Sequence, residues 1–238
     1  MTTMLSISGL HASYGKAEAL HGIDLSVETG EVVCLIGRNG VGKSSTMKSI
    51  VRDQITVTGG EILFDGASLA GLRPYEVVRR GVGYVPEDRR VFASLSVLEN
   101  LRVPRAVSAT DRRTWTIEQV FELFPQLYDY RHRKAGVMSG GEQQMLSIAR
   151  SLITCPKLLL LDEPHEGLAP KIAEEVVTAI AALKAQGVSM IISEQALNTI
   201  RRCADRVYVV DRGMTVWTGT VDGFYADPDI ARKYLMVS

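Results

Sequence analysis

Three short runs of this 238-residue chain carry residue types that do phosphate chemistry when they occur together: GRNGVGKS at 37–44, MSGGEQQ at 138–144 and LLLLDEP at 158–164. The first has the form G-x-x-x-x-G-K-[ST], a loop whose backbone N–H groups cradle phosphate. Gly37, Gly40 and Gly42 free the backbone to turn with positive φ and approach an anion, and Arg38, Asn39 and Val41 complete the cradle between them. Lys43 supplies a point charge for the outer phosphates, and the Ser44 hydroxyl, with Ser45 beside it, suits Mg²⁺. In the third run, Asp162 and Glu163 end an apolar stretch. Side chains alternate along a strand, so the two acids point different ways at its carboxyl end, where open α/β sheets bind ligands. Asp162 is then placed to hold Mg²⁺ through water, and Glu163 to act as general base on an attacking water. Without the loop, the same acids would read equally as a strand end before the Pro164 turn.

The second run places a hydroxyl and two bare glycines, Ser139, Gly140 and Gly141, ahead of Glu142 at the start of a helix. Such a start offers unpaired N–H groups and a partial positive charge to an anion. Met145, Ile148, Ala149, Leu152 and Ile153 then follow at i, i+3, i+4, i+7 and i+8, the spacing of one apolar helix face. Taken alone, S-G-G before a helix is equally an N-terminal cap.

These residues need a scaffold, and the rest of the chain supplies its outline. Val32–Ile36 is a continuous apolar run suited to a strand buried on both faces, with a helix after it from Gly42 to about Ile50. Met4–Ser8, Ile23–Val27 and Ile62–Phe64 read as strands of an antiparallel layer. Residues 88–155 read as mostly helical, with Pro104 and Pro125 as breakers and helices near Val97–Arg102, Asp111–Phe124 and Gly141–Leu152. The parallel core resumes at Leu158 and at Ser189–Ile192, separated by a helix from Pro170 to about Ala185. Arg206–Val210 and Met214–Thr218 form a hairpin, and Pro228 to about Leu235 a last helix. The expectation is one domain: a core with its β layer over about 1–87 and 156–238, and a helical subdomain over about 88–155.

On these motifs the chain resembles the ATP-binding-cassette (ABC) ATPases over nearly its whole length. The resemblance implies an α/β fold with a P-loop NTPase core of mostly parallel sheet, an antiparallel β layer and a helical subdomain bearing the signature motif. It also implies hydrolysis of ATP with Mg²⁺. In that family the serine-glycine signature of one subunit binds the γ-phosphate held by the loop of another, so Ser139 to Glu142 would serve a second ABC ATPase subunit, identical or different. Tyr14 would stack on adenine by the same resemblance. Glu87, in GYVPE, stands where most cassettes have a glutamine near Mg²⁺, and DRRVFASLSVLENL at 88–101 resembles the surface that receives a transporter's coupling helix. Ala169 replaces a common aspartate. Gln195, in SMIISEQAL, replaces the histidine that contacts the γ-phosphate and offers a neutral amide instead. VPE, GLAP and EQ together are similar to the second ATPase subunit of branched-chain amino-acid importers and of related urea-type importers. That implies two separate transmembrane permease subunits, an extracytoplasmic substrate-binding protein, and a peripheral place on the cytoplasmic face of the inner membrane.

Composition bounds these readings. Charge is balanced, 27 Lys+Arg against 27 Asp+Glu, so no global basic field argues for nucleic acid. Residues 73–134 hold twelve Lys/Arg against eight Asp/Glu, a mild local excess that suits a solvated face. Cys34, Cys155 and Cys203 have no metal-like spacing and fit reduced thiols, and His11, His21, His132 and His165 form no ligand cluster. His165, beside the acids, reads as a turn residue. No apolar run reaches the length of a membrane span, and no signal-peptide pattern opens the chain. The competing function is a cassette ATPase acting on nucleic acid, ribosomes or cluster assembly. It is disfavoured because the chain holds neither a second cassette nor a coiled-coil insertion. A non-catalytic regulator is disfavoured because Lys43, Ser44, Asp162 and Glu163 are all present.

Overall fold

The apolar runs behave as buried strands. In the computed structural model, which describes residues 2–104 and 115–234, every residue of Val32–Ile36, Leu158–Asp162 and Ser189–Glu194 is buried. Alternation then splits each run between two cores. Val32, Cys34, Ile36, Leu159, Leu161, Met190 and Ile192 enter one apolar cluster, and Val33, Leu35, Leu158, Leu160 and Ile191 enter the other. A strand with apolar residues on both faces is stable only when both faces are covered, and both are.

The elements follow in chain order. The first part holds the long hairpin of β1 (Thr3–Tyr14) and β2 (Ala17–Glu28), then β3 (Val32–Ile36), α1 (Lys43–Val51), β4 (Thr56–Phe64), β5 (Ala67–Ser68), α2 (Pro74–Arg80) and β6 (Val82–Val85). A helical stretch comprises α3 (Val97–Arg102), α4 (Ile117–Leu123), α5 (Pro125–Asp129) and α6 (Gly140–Ile153). Then come β7 (Leu158–Asp162), α7 (Pro170–Ala185), β8 (Ser189–Glu194), α8 (Leu197–Cys203), β9 (Arg206–Asp211), β10 (Met214–Thr220), α9 (Val221–Ala226) and α10 (Pro228–Tyr234). The ten strands run in the order β5-β4-β1-β2-β10-β9-β3-β8-β7-β6. From β9 to β6 all neighbours are parallel, and β5, β4, β1 and β2 pair antiparallel; β10 joins the two regions, antiparallel to β9 and bonded to β2 by one parallel bridge from Met214 to Gly22. The α/β class, with a mostly parallel core and an antiparallel layer, is as the sequence implies.

One cluster packs the core strands against the helices, through Leu101, Val120, Leu146, Leu152 and Ile180. The other packs them against the β layer and α1, through Leu5, Leu20, Ile23, Met47 and Ile50. All five apolar-face residues of α6 are buried.

Several boundaries differ from the sequence reading. β1 and β2 are twelve residues each, much longer than Met4–Ser8 and Ile23–Val27, because register shifts along their ladder let irregular stretches such as GLHASY keep pairing. The expected Asp111–Phe124 helix falls partly on 111–114, outside the described residues. Its described part starts only at Ile117. The Thr116 hydroxyl accepts from the Gln119 N–H at 3.2 Å, and the Gln119 side chain accepts from the Thr116 N–H at 3.0 Å, a capping box that sets the start. It ends before Phe124, and Pro125 opens α5. β8 runs two residues past Ile192, to Glu194. The last helix is described to Tyr234, so Leu235 lies outside.

Candidate active site

The phosphate loop joins β3 to α1 and is shaped by close approach. Gly37 has φ +149°, and a Cβ there would lie 2.3 Å from the Val210 carbonyl oxygen on β9. Gly42, at φ +117°, is the N-cap of α1 and would push a Cβ to 2.8 Å from Leu20 Cδ2. No side chain caps this helix, so its first N–H groups are left for an anion in the cleft. Asn39, Gly40, Gly42, Lys43, Ser44 and Ser45 line that cleft together with Glu87, Glu163 and Glu166. Arg38 and Val41 belong to the same loop, Arg38 turning its carbonyl toward Lys43. The Lys43 side chain is 3 % exposed, and its Nζ donates to the Gly37 and Arg38 carbonyls at 2.9 and 3.2 Å. It lies 3.1 Å from Glu163 Oε1. Tyr14, at the end of β1, is exposed, with its hydroxyl 3.4 Å from Ser45 Oγ.

Asp162 is buried, and both of its oxygens are partnered. Oδ1 accepts from Ser44 Oγ at 2.9 Å and Ser193 Oγ at 2.7 Å, and Oδ2 accepts from the Tyr84 hydroxyl at 3.1 Å. Burial, then the Asp162 charge, push the Tyr84 phenol far up, so it stays a donor. The sequence reading missed Tyr84 and Ser193. The parallel register from Leu158–Ser189 to Asp162–Ser193 sets the serine opposite the aspartate, a pairing that follows only once the strand order is known. A hydroxyl beside a carboxylate is a hard-oxygen pair that fits Mg²⁺. Among the described residues no cluster of three or more acidic, histidine or cysteine side chains could hold a metal alone.

Glu163 leaves the strand direction. Its φ is +45°, and its N–H donates to Ser193 Oγ at 2.7 Å. The carboxylate turns away from Asp162 and toward Lys43, the divergence the sequence reading expects, but through this left-handed turn rather than through strand alternation. From the next strand end, Gln195 Nε2 donates to Glu163 Oε1 at 3.3 Å and to Asn39 Oδ1 at 2.6 Å. Lys43, Glu163 and Gln195, drawn from α1, the turn after β7 and the turn after β8, thus converge on one side of the loop.

The signature residues stand apart. Ser139 Oγ accepts from the Glu142 N–H at 3.3 Å, while Glu142 Oε2 accepts from the Ser139 N–H at 2.7 Å, so the motif is also a capping box for α6. Gly141 is packed so closely that a Cβ would lie 2.3 Å from Ile172 Cγ2. No described hydrogen bond ties Ser139, Gly140, Gly141 or Glu142 to the phosphate loop. Cys34, Cys155 and Cys203 are free and buried, and burial pushes the Cys34 thiol well up and the Cys203 thiol up to about 11.

A sequence model of the ABC transporter family matches residues 20–166, which include the loop, the signature and the acid pair. The chain belongs to the ABC transporter ATP-binding family. It is 40 % identical to the high-affinity branched-chain amino acid transport ATP-binding protein BraG of Pseudomonas aeruginosa, covering 98 % of this chain and 99 % of that one. It is 31 % identical to the probable branched-chain amino acid transport ATP-binding protein LivF of Archaeoglobus fulgidus, over 92 % and 93 % of the two chains. Its fold superposes with a TM-score of 0.82, at 26 % identity, on a nucleotide-free ATP-binding cassette from an ABC transporter, over 99 % of this chain and all of that one. This ABC protein is an ATPase, and among its described residues no helix is long and apolar enough to cross a membrane.

Proposed function

We propose that the chain is the energy-coupling ATPase of a membrane importer for branched-chain amino acids or related small polar substrates. The observation that carries the reading is the placement of Glu163 Oε1 3.1 Å from Lys43 Nζ and 3.3 Å from Gln195 Nε2. A base must sit where the outermost phosphate is held, and Lys43 marks that place. The loop N–H groups and Lys43 bind the phosphates, with Lys43 exchanging carbonyl and carboxylate partners for phosphate oxygens. Ser44 and Asp162 would hold Mg²⁺, with Glu87 on the cleft wall, and the ion would supply positive charge against that of the phosphate oxygens. Glu163 takes the proton of the attacking water, and Gln195 orients Glu163 with one amide N–H and turns the other from Asn39 to the γ-phosphate. Tyr14 stacks on the base.

The signature, Ser139 to Glu142, of which Ser139 is exposed, serves the site of a second ATPase subunit in trans. The helical elements within 88–155 form a subdomain whose 88–101 surface meets the permease. Two permease subunits, an extracytoplasmic binding protein and a peripheral position on the cytoplasmic face of the inner membrane complete the assembly. The names of the relatives support the cargo class, and the VPE, GLAP and EQ departures support the branch. Isolation of the tagged chain from detergent-solubilised host membranes tests the reading: it is expected to bring down two hydrophobic subunits. Recovery with ribosomes or nucleic acid, and without membrane subunits, would favour the competing reading.

A further inference from the structure

Beside the general base lies a buried carboxylate that ATP hydrolysis, as described so far, does not use. Glu194 ends β8 and is 3 % exposed. Its Oε2 accepts the N–H groups of Gln195 and Ala196 at 2.8 and 2.9 Å, which fixes the turn that presents the Gln195 amide. Its Oε1 faces His165 Nδ1 at 2.8 Å, an ion-pair distance, and neither atom has another hydrogen-bond partner among the described residues. A buried carboxylate oxygen without a partner is costly, and an imidazolium opposite it removes that cost. His165 lies two residues after Glu163, and Glu194 one residue before Gln195. The pair therefore ties the turn that carries the base to the turn that carries its amide partner.

We propose that His165 is a positioning residue for hydrolysis: as an imidazolium paired with Glu194, it clamps the turns after β7 and β8 and so holds Glu163 and Gln195 in register. The inference rests on Glu163 being the base. Among the described residues lining the pocket at His165, the charged groups are Glu163 and Glu166 from its own turn and Glu194 from β8, and Lys43 is paired to Glu163. Glu194 first, and the nearby Glu163 charge, hold the imidazole above its ordinary range against the opposing effect of burial. A raised histidine pKa makes the clamp fully present below about 6.5 and lost as pH rises through the raised value.

Ring-labelled histidine in the full-length chain gives a test independent of turnover. The resonance lost in His165→Gln identifies the residue. It should titrate above the ordinary histidine range and return toward that range in Glu194→Gln. Titration at or below the ordinary value, or no response to Glu194→Gln, would overturn the pairing. In steady-state ATPase assays of the assembled transporter, His165→Gln should lower kcat about two- to ten-fold, the weight of one hydrogen-bond alignment. KM should stay nearly unchanged. His165→Lys should restore most of the rate and extend the active range to higher pH. An unchanged kcat, or an effect on KM alone, would sink the clamp. Glu163→Gln measured alongside separates the two ideas: if it still hydrolyses ATP, the base assignment fails. If it is inactive while the His165 variants match the parent, only the clamp fails.

Discussion

At the scale of single residues, the site is organised around two acids with opposite surroundings. Asp162 is locked by three hydroxyl donors, whereas Glu163 meets a cation and an amide at the edge of the cleft. Their adjacency in sequence hides this contrast; the left-handed backbone at Glu163 produces it. Ser193 is the pivot, donating to Asp162 and accepting from the Glu163 N–H. Ser193→Ala should leave a buried carboxylate oxygen and an N–H short of partners, costing about 1–3 kcal/mol. For a chain of this size that is a Tm fall of roughly 2–12 °C in a thermal melt; a melt matching the parent would show that neither bond matters. The loop and the acids were legible in the sequence because each is set by a contiguous motif, and Gln195 through the resemblance to the family. Tyr84, Ser193 and Glu194 were not, since their roles depend on which strands lie side by side, and no local pattern states that order. His165 read as a turn residue for the same reason: its partner is supplied by the next strand.

At the scale of elements, strongly periodic or fully apolar segments were readable and irregular ones were not. α6 and α7 and the strands β3 and β7 agree with the sequence reading to within about a residue, because one buried face or two dictate them. The extent of β1 and β2 was missed because bulged ladders break the alternation that marks a strand, and the start of α4 because a capping box outranks helix propensity. The N-terminus of α6 carries two roles that one substitution separates. Asp caps a helix as well as Ser does, so Ser139→Asp should keep the melting temperature within a few degrees of the parent. It should also leave nucleotide affinity of the isolated chain unchanged, since the signature does not touch its own loop. The added carboxylate would face the γ-phosphate of the other subunit, so ATP-driven dimerisation, followed by light scattering, should be lost. Retained dimerisation, or lost nucleotide binding by the monomer, would contradict a site completed in trans.

At the scale of the whole molecule, the mostly parallel core presents the loop, Asp162, Glu163 and Gln195 along one edge, at the carboxyl ends of β3, β7 and β8. The signature stands at the start of α6, outside that cleft. On the proposed trans arrangement the molecule would carry half of each of two sites, and association with a second subunit would be coupled to hydrolysis. The most direct measurement combines both properties in one variant. Glu163→Gln keeps the shape of the side chain but cannot accept a proton from water, so hydrolysis by the assembled complex should fall by about 10²–10⁴-fold. Binding and closure should survive, and the variant should collect as an ATP-bound dimer in light scattering while the nucleotide-free protein stays monomeric. Hydrolysis at the parent rate, or a variant that binds ATP and remains a monomer, would contradict the account.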